Sequence, residues 1–196
     1  MDGTIEIITA VISAAATIWA AWGAKRYWKN KNRDPVVEDT AQSANIYTAL
    51  KYMLGEVECD RAYVMQFHNG GHYYSGRGQQ KFSCTHEVTT KGITKQCSIS
   101  QEHRVSHYHD YITQLLTDGK FAHDTLGAVE DHNFAQILKQ AGVKSIYNVP
   151  FTTLNGRIIG ILGVDYVKSE APQARFGKEA QSFMKGQARI MAGYLL

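Results

Sequence analysis

Val143 to Val167 reads VKSIYNVPFTTLNGRIIGILGVDYV, two apolar runs on either side of Asn155-Gly156. Asn-Gly favours positive φ at both corners of a type I′ turn, whose twist matches that of paired strands, so the stretch predicts a β-hairpin. Working outward, Arg61–Phe67 (RAYVMQF) alternates as a strand does and is closed by Asn69-Gly70-Gly71. Lys81–Thr90 (KFSCTHEVTT) predicts a second strand, with Gly76 and Gly78 keeping the stretch before it loop-like. Ile46, Leu50, Met53, Leu54 and Val57 recur at three- and four-residue intervals, which predicts a helix capped at Asp39 or Thr40 and running to about Leu54. Glu102–Leu116 and Asn133–Gln140 predict middle helices, the second ended by Gly142. A last helix starts at about Gln173 and carries Phe183, Met184, Ile190, Met191 and Leu195. That order of elements belongs to an α+β domain with an antiparallel sheet flanked by N- and C-terminal helices.

The 196 residues hold 21 Lys and Arg against 18 Asp and Glu, a formal charge of +3. Five of those bases, Lys25, Arg26, Lys29, Lys31 and Arg33, fall within one short stretch, which leaves Val36–Leu196 almost neutral. A specific nucleic-acid partner is therefore not expected, because the body lacks the excess of positive charge such binding needs. With 44% hydrophobic residues and three prolines the chain is not disordered. Cys59, Cys84 and Cys97 are odd in number and form no C-x-x-C pair, so no disulfide framework is expected.

Ile7–Ala24, IITAVISAAATIWAAWGA, has no charge over 18 residues. As a helix it extends roughly 27 Å, against a hydrocarbon core of about 30 Å. Trp19, Trp22 and Trp28 cluster at its end, beside Lys25 and Arg26, where a membrane interface would hold them. The organisation expected is a hydrophobic, transmembrane helix over residues 1–24, a basic juxtamembrane linker over 25–35 and the folded body over 36–196. Positive charge after the span places the C-terminal domain in the cytoplasm. Ser13, Thr17 and Ala21 fall four apart, a spacing that lets two such helices approach. The alternative is a helix plugged into a protein assembly.

The body resembles a GAF-like domain, the sensory fold related to PAS. The resemblance rests on MLGEVECDRAYVMQFHNGG, where the family has its first helix and core strand, on the Val-Pro and Ile-Gly-Ile-Leu strands of the hairpin, and on the terminal helix. It covers most of Val36–Leu196. Phe67-His68-Asn69-Gly70 and Phe82–Val88 are also similar to GAF-like reading frames of phages and bacteria. The resemblance implies a pocket between the sheet and the middle helices, near His68, Asn69, Tyr73, Tyr74, His107 and Tyr147. It also implies pairing of the helices before and after the sheet into a homo-oligomer. The chain lacks the Asn-Lys-Phe-Asp-Glu pattern of cyclic-nucleotide-binding members and a Cys next to His for bilin attachment. The cofactor is therefore left unknown. Cys84 and His86, two apart on a strand, are expected to face the same side.

His103, His107 and His109 with Asp110 form the most metal-like cluster. On a helix His103 and His107 share a face, and a third zinc ligand would have to come from folding. The bland alternative is a solvated polar helix. The glycine loop at His68–Tyr74 suits either an anion cradle aided by Arg77 or ordinary hairpin geometry. Glu87 and Asp165 read as isolated strand carboxylates rather than an acid/base pair, and no G-x-S-x-G elbow occurs.

The expectation is a non-enzymatic, membrane-anchored sensory or regulatory module that binds a small molecule, with lipid and an unidentified protein as partners. The alternative is a structural component of a membrane complex or of a phage virion, using the fold for subunit packing. A zinc hydrolase built on the histidines ranks third.

Overall fold

The structure is a computed structural model that describes residues 2–31 and 34–195. Compactness divides the chain into Met1–Ala41 and Gln42–Leu196. In the first unit, Asp2–Lys31 forms one 30-residue helix, α1. Trp19, Trp22, Tyr27 and Trp28 are exposed on it, and the Arg26 guanidinium lies 5.5 Å from the Trp22 ring centroid. Among the described residues no helix is long and apolar enough to cross a membrane, so the bilayer-span reading of Ile7–Ala24 lacks support. The physical reason is composition: seven alanines, two threonines, a serine and a glycine in that run add little to transfer into hydrocarbon. Arg33 lies outside the described residues.

Helix α2 spans Pro35–Glu56. It begins earlier than the expected cap, because Asp34 Oδ1 accepts the Val36 N–H at 2.9 Å and Pro35 takes the first helical position. Strands β1 (Arg61–His72), β2 (Gly78–Thr89), β3 (His103–Arg104), β4 (Phe121–His123), β5 (Ser145–Thr152) and β6 (Ile158–Tyr166) form one antiparallel sheet in the order β3-β2-β1-β6-β5-β4. Helices α3 (His109–Asp118), α4 (His132–Gln140) and α5 (Lys178–Leu195) complete the body.

The helix expected over Glu102–Leu116 is a correction. His103 and Arg104 pair with β2, Val105–His107 make a single 3₁₀ turn, and α3 begins only at His109. The hairpin is present, but its turn is not type I′. Only Gly156 has positive φ (82°), and Thr153 N–H donates to Arg157 O at 2.8 Å, which closes a three-residue loop with glycine in the left-handed position.

Alternation along the strands builds two cores. Ala62, Val64, Leu162, Val164 and Val149 face one way and pack with Ile46, Leu50 and Met53 of α2 and Met184 and Met191 of α5. Phe82, Ile146 and Ile161 face the other way, against Tyr111, Ile112 and Leu115 of α3 and Phe134 and Leu138 of α4. Tyr111 stacks on Phe134 at 3.7 Å, and Phe121 meets Tyr111 edge-on at 4.8 Å.

Candidate functional site

The second face is not fully packed. A cavity of about 430 Å³ opens there, within the range of small-molecule sites. Met65, Phe82, Ile99, Tyr108, Ile137 and Leu138 give it apolar walls, and Arg61, Glu87 and Asp165 give it a charged floor. Sheet register assembles that floor. Arg61 on β1 pairs with Asp165 on β6 and is two positions from the partner of Glu87 on β2. All three side chains are buried. Arg61 Nη1 donates to Asp165 Oδ2 at 2.7 Å, and Nη2 donates to Thr94 O at 3.1 Å. Nε stands 3.2 Å from Glu87 Oε1, an ion pair without a hydrogen bond of good geometry. Glu87 also accepts the N–H groups of Gln96 and Cys97 at 2.9 Å, which fastens the 90–102 segment over the cavity.

A neutral chain continues from Asp165. Tyr63 Oη lies 3.1 Å from Asp165 Oδ1 and 2.9 Å from Asn148 Oδ1, while Asn148 Nδ2 donates to Tyr111 Oη at 2.9 Å. Gly163 makes this approach possible, since a Cβ there would stand 2.3 Å from the Tyr63 ring and 2.4 Å from Asn148 Oδ1. Burial pushes the Asp165 carboxyl up to about 6, reinforced by the Glu87 charge and only partly offset by Arg61 and Tyr63. Burial likewise holds His103 below the ordinary histidine range and raises the Cys84 and Cys97 thiols.

A bulge in β2 sets which residues reach the cavity. Val64 pairs with His86 and Met65 with Cys84, so Thr85 is the extra residue. Cys84 and Glu87, three apart, therefore both line the cavity. His86 faces α2, where its Nε2 is 3.0 Å from Ser43 Oγ and its ring is 5.2 Å from that of Tyr47. The expectation that Cys84 and His86 share a face is corrected by that one inserted residue.

The residues expected near the pocket are dispersed. His68 and Asn69 line a second, more open cavity of about 450 Å³ with Gln80, Ile112 and Leu116, and His68 Nε2 is 2.9 Å from Ser83 Oγ. Tyr73 lies under the Arg77 guanidinium, 5.3 Å from its ring centroid, and Tyr74 is fully exposed. His107 is exposed on the 3₁₀ turn, and its carbonyl accepts from Asn133 Nδ2 at 3.0 Å. Tyr147 belongs to the opposite core, stacked on Phe176 with its buried hydroxyl unpartnered, because alternation gives the other side of the sheet to Asn148, which bonds to Tyr63 and Tyr111.

The histidine cluster does not converge. His103 uses both ring nitrogens, 3.0 Å from Ser100 Oγ and 3.2 Å from Tyr108 Oη, whereas His107 and His109 are exposed. Among the described residues no group of three His, Cys, Asp or Glu side chains is placed to hold a metal ion, so the geometry lends no support to the zinc reading of His103, His107 and His109. Sequence reasoning missed Arg61 altogether. The signal was an arginine opening an otherwise apolar strand, with Glu87 and Asp165 as unexplained charges on two others.

No protein-family model and no curated protein matches the chain. Solved structures do match. The blue-light absorbing GAF domain of PixJ from Thermosynechococcus elongatus is 12% identical with a TM-score of 0.60, covering 82% of this chain and 90% of its own. A GAF domain/HD domain protein from Geobacter sulfurreducens is 10% identical with a TM-score of 0.57, covering 79% and 91%. A type II free methionine-R-sulfoxide reductase from Thermoplasma acidophilum is 16% identical with a TM-score of 0.57, covering 81% and 94%. At these identities the likeness speaks for architecture alone: the chain has a GAF-like α+β fold.

Proposed function

We propose that the body is a non-enzymatic sensory or regulatory module that binds a small molecule in the cavity over Arg61, Glu87 and Asp165. The cavity itself carries this reading. A domain used only as a packing block would close such a space with side chains, as the face toward α2 and α5 does, and would have no reason to bury three charges beside it. Absence of chemistry is supported by the raised thiols, which disfavour the nucleophilic thiolate, and by the engagement of His103 on both nitrogens. Differential binding to two conformations would turn occupancy into a signal, and the clamp of Glu87 on Gln96 and Cys97 is the element most exposed to such a change.

Thermal melting against cyclic nucleotides, haem, amino acids and amines tests the reading, with Ala141→Phe as a cavity-filled control. A saturable rise in Tm for the wild-type chain that is lost in the variant is the expected result. Equal shifts in both would sink it.

We assign α1 to tethering at lipid, with the cytoplasm-facing domain and self-association as parts of the same proposal. Support comes from its exposed apolar side chains, among them Ile7, Ile8, Val11, Ile12 and Ile18, and from the Trp and Arg residues at its end. Fractionation of the full chain beside a chain starting at Val36 separates the outcomes. Recovery of both in the soluble fraction removes the tether.

A further inference from the structure

The charged floor of the cavity is unbalanced. Two buried carboxylates, Glu87 and Asp165, share one guanidinium, and Arg61 is the one Lys or Arg side chain among the residues lining the space. That guanidinium is already engaged on Asp165, Thr94 O and Ala141 O, with its Nε against Glu87. It is a poor receptor for an anion from outside. Glu87 is held by two backbone N–H groups beside its Arg61 contact, and Asp165 by the Arg61 guanidinium and the Tyr63 hydroxyl, so one guanidinium faces two carboxylates and an excess negative charge remains on the floor.

The charged and titratable groups around Asp165 bear on that charge, and His103, held below the ordinary histidine range by burial, lines the same cavity. Arg61 and Tyr63 face Asp165 from β1, Glu87 and Cys84 act on it from β2, Tyr111 from α3, and Cys59 from the turn before β1. Arg61 alone among them carries a positive charge. A buried excess negative charge is costly, so it is met either by a proton or by a cation placed beside it. The upward displacement of Asp165 to about 6 is the first solution.

The neighbouring hydrogen bonds accommodate both solutions. With Asp165 protonated, it donates to Tyr63, Tyr63 to the Asn148 carbonyl oxygen, and the Asn148 amide to Tyr111. With Asp165 ionised and the Asn148 amide turned over, every donor reverses: Tyr111 to Asn148, Asn148 to Tyr63, Tyr63 to Asp165. The chain is self-consistent in either direction.

We propose that the cavity takes a small, mostly apolar molecule carrying one positive charge, an ammonium or amidinium, which docks against the Asp165 carboxylate with its apolar part between Phe82, Tyr108 and Ile137. This rests on the pocket reading given above and names its ligand class. Bound cation replaces the proton on Asp165, so binding releases a proton and strengthens as pH rises through about 6, while an alkylammonium keeps its own charge across that range.

Benzylamine, benzyl alcohol and benzoate share one ring and differ in the charge of the terminal group, and they serve as probes for the full chain in ligand-observed NMR and calorimetry. At pH 7.5 the amine is expected to bind about tenfold or more tightly than either comparator. Its affinity should fall about tenfold at pH 5, as the competing proton returns. Asp165→Asn should abolish both the preference and the pH dependence. Should that variant not fold, the pH profile of the wild-type chain decides alone. Alcohol or benzoate binding as well as the amine, or an amine affinity flat between pH 5 and 7.5, overturns the inference and leaves the pocket reading standing. Binding by none of the three at about 10 mM overturns the inference too, and the wider panel with the Ala141→Phe control then decides the pocket reading separately.

Discussion

The two faces of the sheet are built from neighbouring residues of the same strands yet solve opposite problems. Toward α2 and α5, the β1 and β6 residues Ala62, Val64, Leu162 and Val164 meet Ile46, Leu50, Met184 and Met191 in a filled aliphatic core. Toward α3 and α4, the alternate residues Arg61, Tyr63, Met65 and Asp165 border open space and carry buried charge and hydroxyl groups. One face holds the fold together. The other keeps its aromatic cluster around Tyr111 and Phe134 but accepts open space and buried charge beside it.

The largest effect that tests this contrast is Arg61→Met, which strands Glu87 and Asp165 without their shared cation. About 3–5 kcal/mol of stability should be lost, read by chemical denaturation. A loss below about 1 kcal/mol would mean that the charges are better solvated than their burial suggests.

Next come paired truncations on the two faces. Leu50→Ala in the filled core should cost about 2–5 kcal/mol. Leu138→Ala at the cavity wall should cost distinctly less, because the space it vacates joins one that is already open. Equal costs would erase the distinction between the faces.

The charged face also predicts a pH signature. Asp165 is raised in the folded chain, so the folded state binds more protons than the unfolded one between about 4 and 6. Its contribution is full below the unfolded value and is lost as pH rises through about 6, on the order of 2–3 kcal/mol. Asp60 acts in the opposite sense. Burial raises it, but the Lys168 and Val167 N–H groups and the Lys168 ammonium outweigh that and lower it, so its contribution is lost as pH falls. The difference in unfolding free energy between wild type and Asp165→Asn, followed from pH 4 to 7, isolates the Asp165 part. A constant difference would deny the shift.

The smallest effect is expected at Tyr74, whose side chain is fully exposed. Tyr74→Ala should change stability by no more than about 0.5 kcal/mol and leave benzylamine binding unaltered. A weaker affinity would bring the glycine loop back into the site.

Much of the architecture was legible in the linear order of residues. Two runs around Asn155-Gly156 and the spacing of Ile46, Leu50 and Met53 mark their elements locally, because turn geometry and helical periodicity are properties of adjacent residues. The site was not legible in the same way. Arg61, Glu87 and Asp165 lie far apart along the chain and become neighbours only through strand register, which no local pattern encodes. His103, His107 and His109 illustrate the converse. Their spacing suits a helix face, but pairing of His103 and Arg104 with β2 won over helix propensity and turned the three rings to different surroundings. Tyr147 was displaced by a single step of alternation, the position beside it carrying the amide that bonds to Tyr63 and Tyr111 on the cavity's side of the sheet.

Thr85 has a consequence that reaches past its own contacts. Before it, the even-numbered residues Phe82 and Cys84 look into the cavity; after it, the odd-numbered Glu87 does. The residue acts as a half-period phase step in the strand. Ironing the bulge out with Thr85 kept in the pleat would exchange the surroundings of His86 and Glu87, pressing a carboxylate onto the aliphatic core and an imidazole toward Arg61, whereas a strand without Thr85 would pair regularly and leave both side chains on their present faces. What has to be kept for Glu87 to reach Arg61 is therefore the bulge wherever the extra residue is present, and not the identity of the residue at position 85.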